Sequence, residues 1–204
     1  MLTFNEELHQ YRHDGQITPS VTQVIQPLYA GELAMIPAAI LERKSTIGKA
    51  VHLACELYDQ GDLDEGSLDP VVRGYFEGWI KFTHENKCEW DGIEELIFHS
   101  THKYAGRLDR RGKINGKKCV ADIKTVSVVS RPTAIQLAGY EEGRRVDGDK
   151  ERVARIAIQL KPDGAYEMHD FTRDDVRRKV GLRAPAINDF AIFLACLTVQ
   201  RFNG

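Results

Sequence analysis

Asp109, Asp122 and Lys124 are the residues whose types and spacing could do chemistry. Two carboxylates and an amine on neighbouring strands can hold a divalent cation beside a base-like group. Burying them without such a role is costly. Asp122 and Lys124 are two residues apart, so on a strand they share a face. Residues 104–125 read as the β-hairpin that would carry them. Tyr104, Gly106, Leu108 and Arg110 alternate with Ala105, Arg107 and Asp109, and Asn115-Gly116 supplies the turn between Ile114 and Lys117. Residues 119–124 are mostly apolar, as a central strand should be. An acid, any residue and a lysine occur three times: Glu42-Arg43-Lys44, Glu85-Asn86-Lys87 and Asp122-Ile123-Lys124. The first two lie in charged, helix-like surroundings, where they read as solvated faces. Only the third sits in an apolar strand behind a second aspartate. A buried Asp–Lys pair without chemistry is the alternative that this stretch alone leaves open.

The elements that must position these groups can be read in order. Residues 2–18 form a small hairpin with Asp14-Gly15 as a turn. Ser20 with Gln23 makes a capping box, predicting a short helix that stops before Pro27. The Ser20 and Thr22 hydroxyls also suit a phosphate, although capping alone explains Ser20. A helix over 35–44 has Pro37 in its first turn. A second, over 46–58, carries the apolar stripe Ile47, Val51, Ala54, Cys55 and Tyr58, with His52 and Glu56 side by side on an adjacent face. An acidic loop, 61–69, leads to a helix over 70–87 with Val71, Tyr75, Trp79 and Phe82 facing the core. A strand over 92–99 must turn Glu94 or Glu95 inward as a third acid. A helix over 133–145 places Gln136 and Tyr140 on one face. Strands over 153–160 and 165–171 flank the turn Pro162-Asp163-Gly164. Thr172 caps a helix over 173–179, and a last helix over 185–202 buries Ile187, Phe190, Phe193, Leu194 and Leu197.

The chain has 204 residues and a net charge of −2, which fits one domain over 1–204 rather than a protein generally coated in nucleic acid. Residues 103–124 nevertheless hold eight Lys/Arg and two acids, a local basic field that suits a phosphate-bearing partner near a metal. The four cysteines are scattered without a Cys-x-x-Cys, which argues against a zinc or iron–sulfur site and for free core thiols in a reducing cytoplasm. No signal-peptide core and no apolar run of membrane-spanning length is seen.

Gly48-x-x-x-His52, Gly106-Arg107-Leu108-Asp109, Asp122-Ile123-Lys124 and Gln136-x-x-x-Tyr140 follow one another along the chain. In that order they resemble the motifs of the PD-(D/E)xK nuclease superfamily, in its RecB-like branch. Pro19-Ser20-Val21-Thr22 and the closing Leu-Lys-Pro-Asp-Gly hairpin resemble phage-type, lambda-like alkaline recombination exonucleases. Two positions depart from the pattern: Leu108 stands where the family has proline, and Asp122 where glutamate is usual. The resemblance implies an α/β fold, a central mixed β-sheet flanked by helices with a restriction-endonuclease-like core. It implies Mg²⁺, with Mn²⁺ as a substitute, held by Asp109, Asp122, the Ile123 carbonyl and His52. Lys124 would position or deprotonate the attacking water, Gln136 and Tyr140 would orient the site, and Glu94 would add an acid. Arg107, Arg110 and Ser20 become candidate DNA contacts. The implied activity is exonuclease digestion of linear duplex DNA, 5′-to-3′, in a homotrimer with a single-strand annealing recombinase as partner, in the cytoplasm of a bacterial host cell. A structure-specific or single-strand nuclease, an endonuclease, and a non-catalytic DNA-end-binding protein are the alternative expectations.

Overall fold

The computed structural model describes residues 1–33, 35–146 and 151–203. The chain opens with a three-stranded antiparallel sheet of β1 (Leu2–Asn5), β2 (Gln10–His13) and β3 (Gln16–Thr18). Asp14-Gly15 makes its second turn, both residues with positive φ (49° and 81°). The third strand extends the hairpin expected from the sequence.

Helix α1 (Val21–Leu33) begins at the capping box: Gln23 N donates to Ser20 Oγ at 3.1 Å and Ser20 N donates to Gln23 Oε1 at 2.9 Å. It runs through Pro27 instead of stopping before it. Val21, Val24 and Ile25 are buried on one side of the proline, and Tyr29 packs against the same core beyond it. Packing on both sides thus offsets the lost backbone bond. Helix α2 (Ala38–Gln60) is likewise one helix of 23 residues, not two. Thr46 Oγ1 bonds back to Glu42 O at 3.1 Å, so the hydroxyl is satisfied inside the helix and makes no break. Gly61 ends α2 in the left-handed region (φ 79°).

Helix α3 (Pro70–Glu85) starts on Asp69, whose side chain accepts from Val71 N at 2.7 Å. It buries Val72, Phe76, Trp79 and Phe82, whereas Val71 is exposed and Tyr75 only partly buried. The buried stripe is therefore rotated from the expected one and shares only Trp79 and Phe82 with it.

The main sheet has the order β4 (Cys88–His99), β5 (Tyr104–Ile114), β6 (Lys117–Lys124), β7 (Ala154–Leu160) and β8 (Tyr166–Asp170). Strands β4, β5 and β6 form an antiparallel meander, β7 is parallel to β6, and β8 is antiparallel to β7. The parallel step requires a crossover, which α4 (Pro132–Val146) makes. Asn115 and Gly116, with φ of 51° and 77°, close the β5–β6 hairpin as Asn-Gly predicts.

Helices cover both faces of this mixed sheet. On one, α1, α4 and α6 (Asp189–Asn203) pack over Ile97, Tyr104, Leu108, Val120 and Ala157. On the other, α2 and α3 pack over Cys119, Ala121, Ile123, Ile156 and Ile158. Each large apolar side chain so buried contributes roughly 1.5–3 kcal/mol. The remaining helix, α5 (Asp174–Lys179), has Arg173 at its N-cap with no side-chain cap bond. Thr172, expected there, bonds to Asp170. In the last segment Ile187 is exposed, while Phe193 and Leu197 are buried. No helix among the described residues is long and apolar enough to cross a membrane.

Candidate metal centre

Asp109 sits where the alternation of β5 fails. Leu108 packs with the α1/α4/α6 cluster, yet Arg110, two residues on, lies over Trp79 of α3, on the opposite face. Ordinary strand period would put Leu108 and Arg110 on one face. On the partner strand Ile93 pairs with Arg110 and Glu95 with Leu108. Between them Glu94 has a positive φ of 49°, an uncommon conformation for a residue with a Cβ. This local irregularity brings the Glu94 and Asp109 side chains together.

Helix α2 supplies the third donor. His52 Nδ1 is 3.4 Å from Asp109 Oδ2, and His52 Nε2 is 3.0 Å from the Ile123 carbonyl oxygen. Asp109 Oδ2 also accepts from Ile123 N at 2.7 Å, tying β5 to β6 beside the site. One ligand atom each from His52, Glu94 and Asp109 lies within 4.8 Å of the others. Two carboxylates, an imidazole and an adjacent backbone carbonyl make an oxygen-rich donor set that fits Mg²⁺ or Mn²⁺. Glu95 is turned away and pairs with Arg111 at 2.7 Å, so Glu94 is the acid of that strand that faces the site.

Asp122 and Lys124 share a face, as their spacing predicts, and that face lies on the α4 side. Lys124 Nζ is 2.7 Å from Asp122 Oδ2 and donates to Gln136 Oε1 at 2.8 Å. Gln136 Nε2 donates in turn to the Tyr140 hydroxyl at 3.4 Å. The structure thus joins Asp122, expected as a metal ligand, to the lysine, and the tight group of candidate ligands is His52, Glu94 and Asp109. Gly106 lets Tyr140 in: a Cβ there would stand 2.8 Å from Tyr140 Cε1.

The electrostatics follow from crowding charges in a poorly hydrated place. Burial, then the neighbouring Asp109, push Glu94 up to about 8 against the pull of Arg107 and Arg110. Burial raises Asp122 as well, opposed by Lys124. Burial works against the charge on Lys124, but Asp122, Tyr29 and Asp109 together outweigh it and the amine titrates above its usual range. Burial first, and Asp122 next, hold the Tyr140 phenol protonated well beyond its ordinary value.

Three expected DNA contacts stand differently. Ser20 is buried at 1% exposure and spent on the helix cap, so a phosphate role for it is set aside. Arg110 is corrected too: it is fully buried, its Nε 2.7 Å from Asp59 Oδ2 and its Nη1 3.5 Å from Glu94 Oε1, with its guanidinium over the Trp79 ring. Arg107 is half-exposed and pairs with Glu94 at 3.1 Å and Glu6 at 3.4 Å. Asp59, which also accepts from Trp79 Nε1 at 3.1 Å, escaped the reading of the sequence. Its spacing of seven from His52 on one helix was the available signal.

The local basic field is also cancelled by folding. Arg107, Arg110, Arg111, Lys113, Lys117, Lys118 and Lys124 each pair with an acid, mostly from another element. Neither a protein-family model nor a curated protein matches the chain.

Proposed function

We propose that this chain is a Mg²⁺-dependent deoxyribonuclease of the PD-(D/E)xK type, with a restriction-endonuclease-like core, that hydrolyses phosphodiester bonds from the ends of linear duplex DNA. The observation that carries the reading is the convergence of His52, Glu94, Asp109 and the Ile123 carbonyl beside the Asp122–Lys124–Gln136 chain. The meander with acids on its second and third strands, followed by a helical crossover to a parallel strand, supports the core assignment.

His52, Glu94, Asp109 and the Ile123 carbonyl would hold the cation, with Asp122 adjoining. A divalent ion supplies Lewis-acid polarisation of the phosphoryl oxygen and an acidified water. Lys124 stays protonated beside Asp122, so its part is to orient the attacking water and steady developing negative charge rather than to abstract a proton. Gln136 fixes the direction of that amine, and Tyr140 fixes Gln136. The 5′-to-3′ polarity, the trimer and the recombinase partner rest on the family resemblance alone.

The test is digestion of end-labelled linear duplex with Mg²⁺, beside a covalently closed circle. Wild type is expected to degrade the linear DNA and spare the circle, and Asp122→Ala and Lys124→Ala to lose the activity. Full activity in either variant, or none in the wild type, would sink the assignment. Cleavage of the circle would move it to an endonuclease.

A further inference from the structure

The cations around the acid cluster differ in what a bound divalent ion would do to them. Arg110 is fully buried and keeps Asp59 as its partner. Lys124 keeps Asp122 and Gln136. Of these three, Arg107 alone joins a half-exposed guanidinium to a partner that is itself a candidate ligand, with Nε 3.1 Å from Glu94 Oε2. Its other contacts are weak holds toward solvent: Glu6 at 3.4 Å, itself 80% exposed, and the Phe4 ring at 5.1 Å.

We propose that Arg107 is an exchangeable phosphate contact, serving Glu94 while the site is metal-free and passing to a nucleic-acid backbone phosphate when a divalent cation claims Glu94. The inference rests on the metal-dependent nuclease reading and adds to it a coupling between cation and DNA.

Formal charge gives the reason. The Arg110–Asp59 and Lys124–Asp122 pairs cancel. Counted formally, Glu94 and Asp109 against Arg107 leave the metal-free site one charge negative, which repels a phosphate. A divalent cation makes it one charge positive, competes for Glu94 and repels the guanidinium. The planar fork of Arg107 then lacks a full partner, and a phosphate offers it a bidentate one. Thermodynamic reciprocity requires DNA to tighten cation binding by the same factor.

The experiment measures binding of a short end-labelled duplex by fluorescence anisotropy, with and without Ca²⁺. A gel checks that the DNA stays intact, and calorimetry follows Ca²⁺ binding to the DNA-free protein. Ca²⁺ is expected to strengthen wild-type DNA binding by about fivefold or more. Arg107→Gln should bind Ca²⁺ at least as well as wild type and lose most of that gain. With Ca²⁺ the slope of log affinity against log salt should be steeper in wild type than in Arg107→Gln by about 0.9, and equal without it. Glu6→Gln, which removes only the exposed partner, should keep the gain. Retention of the full gain and slope in Arg107→Gln, or loss of the gain in Glu6→Gln, would overturn the exchange. Ca²⁺ binding that leaves wild-type DNA affinity unchanged overturns the exchange and spares the metal reading. Absence of Ca²⁺ binding in the wild type overturns the metal reading and the exchange together.

Discussion

Lys124 owes its direction to a relay that ends on a glycine. The amine donates to Gln136, Gln136 donates to Tyr140, and the Tyr140 ring reaches its place only because position 106 has no side chain. Gly106→Ala would set a Cβ 2.8 Å from Tyr140 Cε1 and 3.1 Å from Val21 Cγ2. Both neighbours are buried, so neither can swing away freely. Overpacking of this kind costs about 1–3 kcal/mol. Gly106→Ala should therefore lower the urea midpoint by that equivalent and cut the hydrolysis rate further than Tyr140→Phe. The phenylalanine keeps the ring in place and removes only the acceptor of Gln136. A Gly106→Ala protein as stable and as active as wild type would show that the relay does not position Lys124. Gly48 has a milder version of the same duty, its missing Cβ lying 3.3 Å from Thr125 Oγ1 just beyond β6.

Elements meet at the site through buried charge. Asp59 on α2, Trp79 on α3 and Arg110 on β5 form one contact group behind Glu94 and Asp109. Removing one member of a buried ion pair strands the other, at a cost of about 3–5 kcal/mol. Asp59→Ala, which also deprives Trp79 Nε1 of its acceptor, is expected to destabilise by that amount in urea unfolding, and a loss under about 1 kcal/mol would refute the role. This group marks the limit of what the sequence discloses. The hairpin, the Asn-Gly turn, the capping box and the Asp122–Lys124 face were legible, because each depends on residues close in the chain. So was the association of His52 with Asp109, though only by resemblance. Arg110 was misread because a strand irregularity at Asp109 sends it to the opposite face, and local alternation cannot disclose that. The continuity of α1 and α2 was missed for a related reason: tertiary packing overrides local stop signals such as Pro27. A second junction of elements titrates. His99, at the end of β4, stacks on Phe190 of α6 at 5.9 Å and lies tilted against Tyr104 at 5.1 Å, and its Nδ1 accepts from His102 N at 3.2 Å. Burial, then the neighbouring His102, hold its pKa below the ordinary 6.5. A depressed histidine favours the fold above the unfolded pKa and loses that contribution as pH falls through the folded value. Stability should therefore fall on acidification below about 6.5, and His99→Asn should flatten that fall while lowering stability at neutral pH. Equal acid slopes in urea unfolding for the two proteins would exclude His99 as a source.

At the scale of the molecule, charge must be counted through space. Residues 103–124 read as a basic stretch, yet the fold brings Asp59, Glu89, Glu94, Glu95, Glu151 and Asp170 to its cations. What the folded chain concentrates instead is a close pair of acids, where Glu94 meets Asp109 and burial pushes Glu94 up to about 8. The donors come from α2, β4 and β5, and the Ile123 carbonyl adds β6, so a cation bound there would staple one helical layer to three strands of the sheet. Such an ion binds the folded chain and not the unfolded one, and at a hundred times its Kd stabilises by about 2.7 kcal/mol. For a chain of this length that corresponds to a rise in Tm of roughly 5–10 °C. Mg²⁺ or Mn²⁺ should therefore raise the melting temperature of the wild type in differential scanning calorimetry. Glu94→Gln, which takes one carboxylate out of the candidate ligand set, should not respond to the ion. A wild type indifferent to saturating Mn²⁺, or a Glu94→Gln protein that rises just as far, would mean that these acids are clustered for some purpose other than holding a metal.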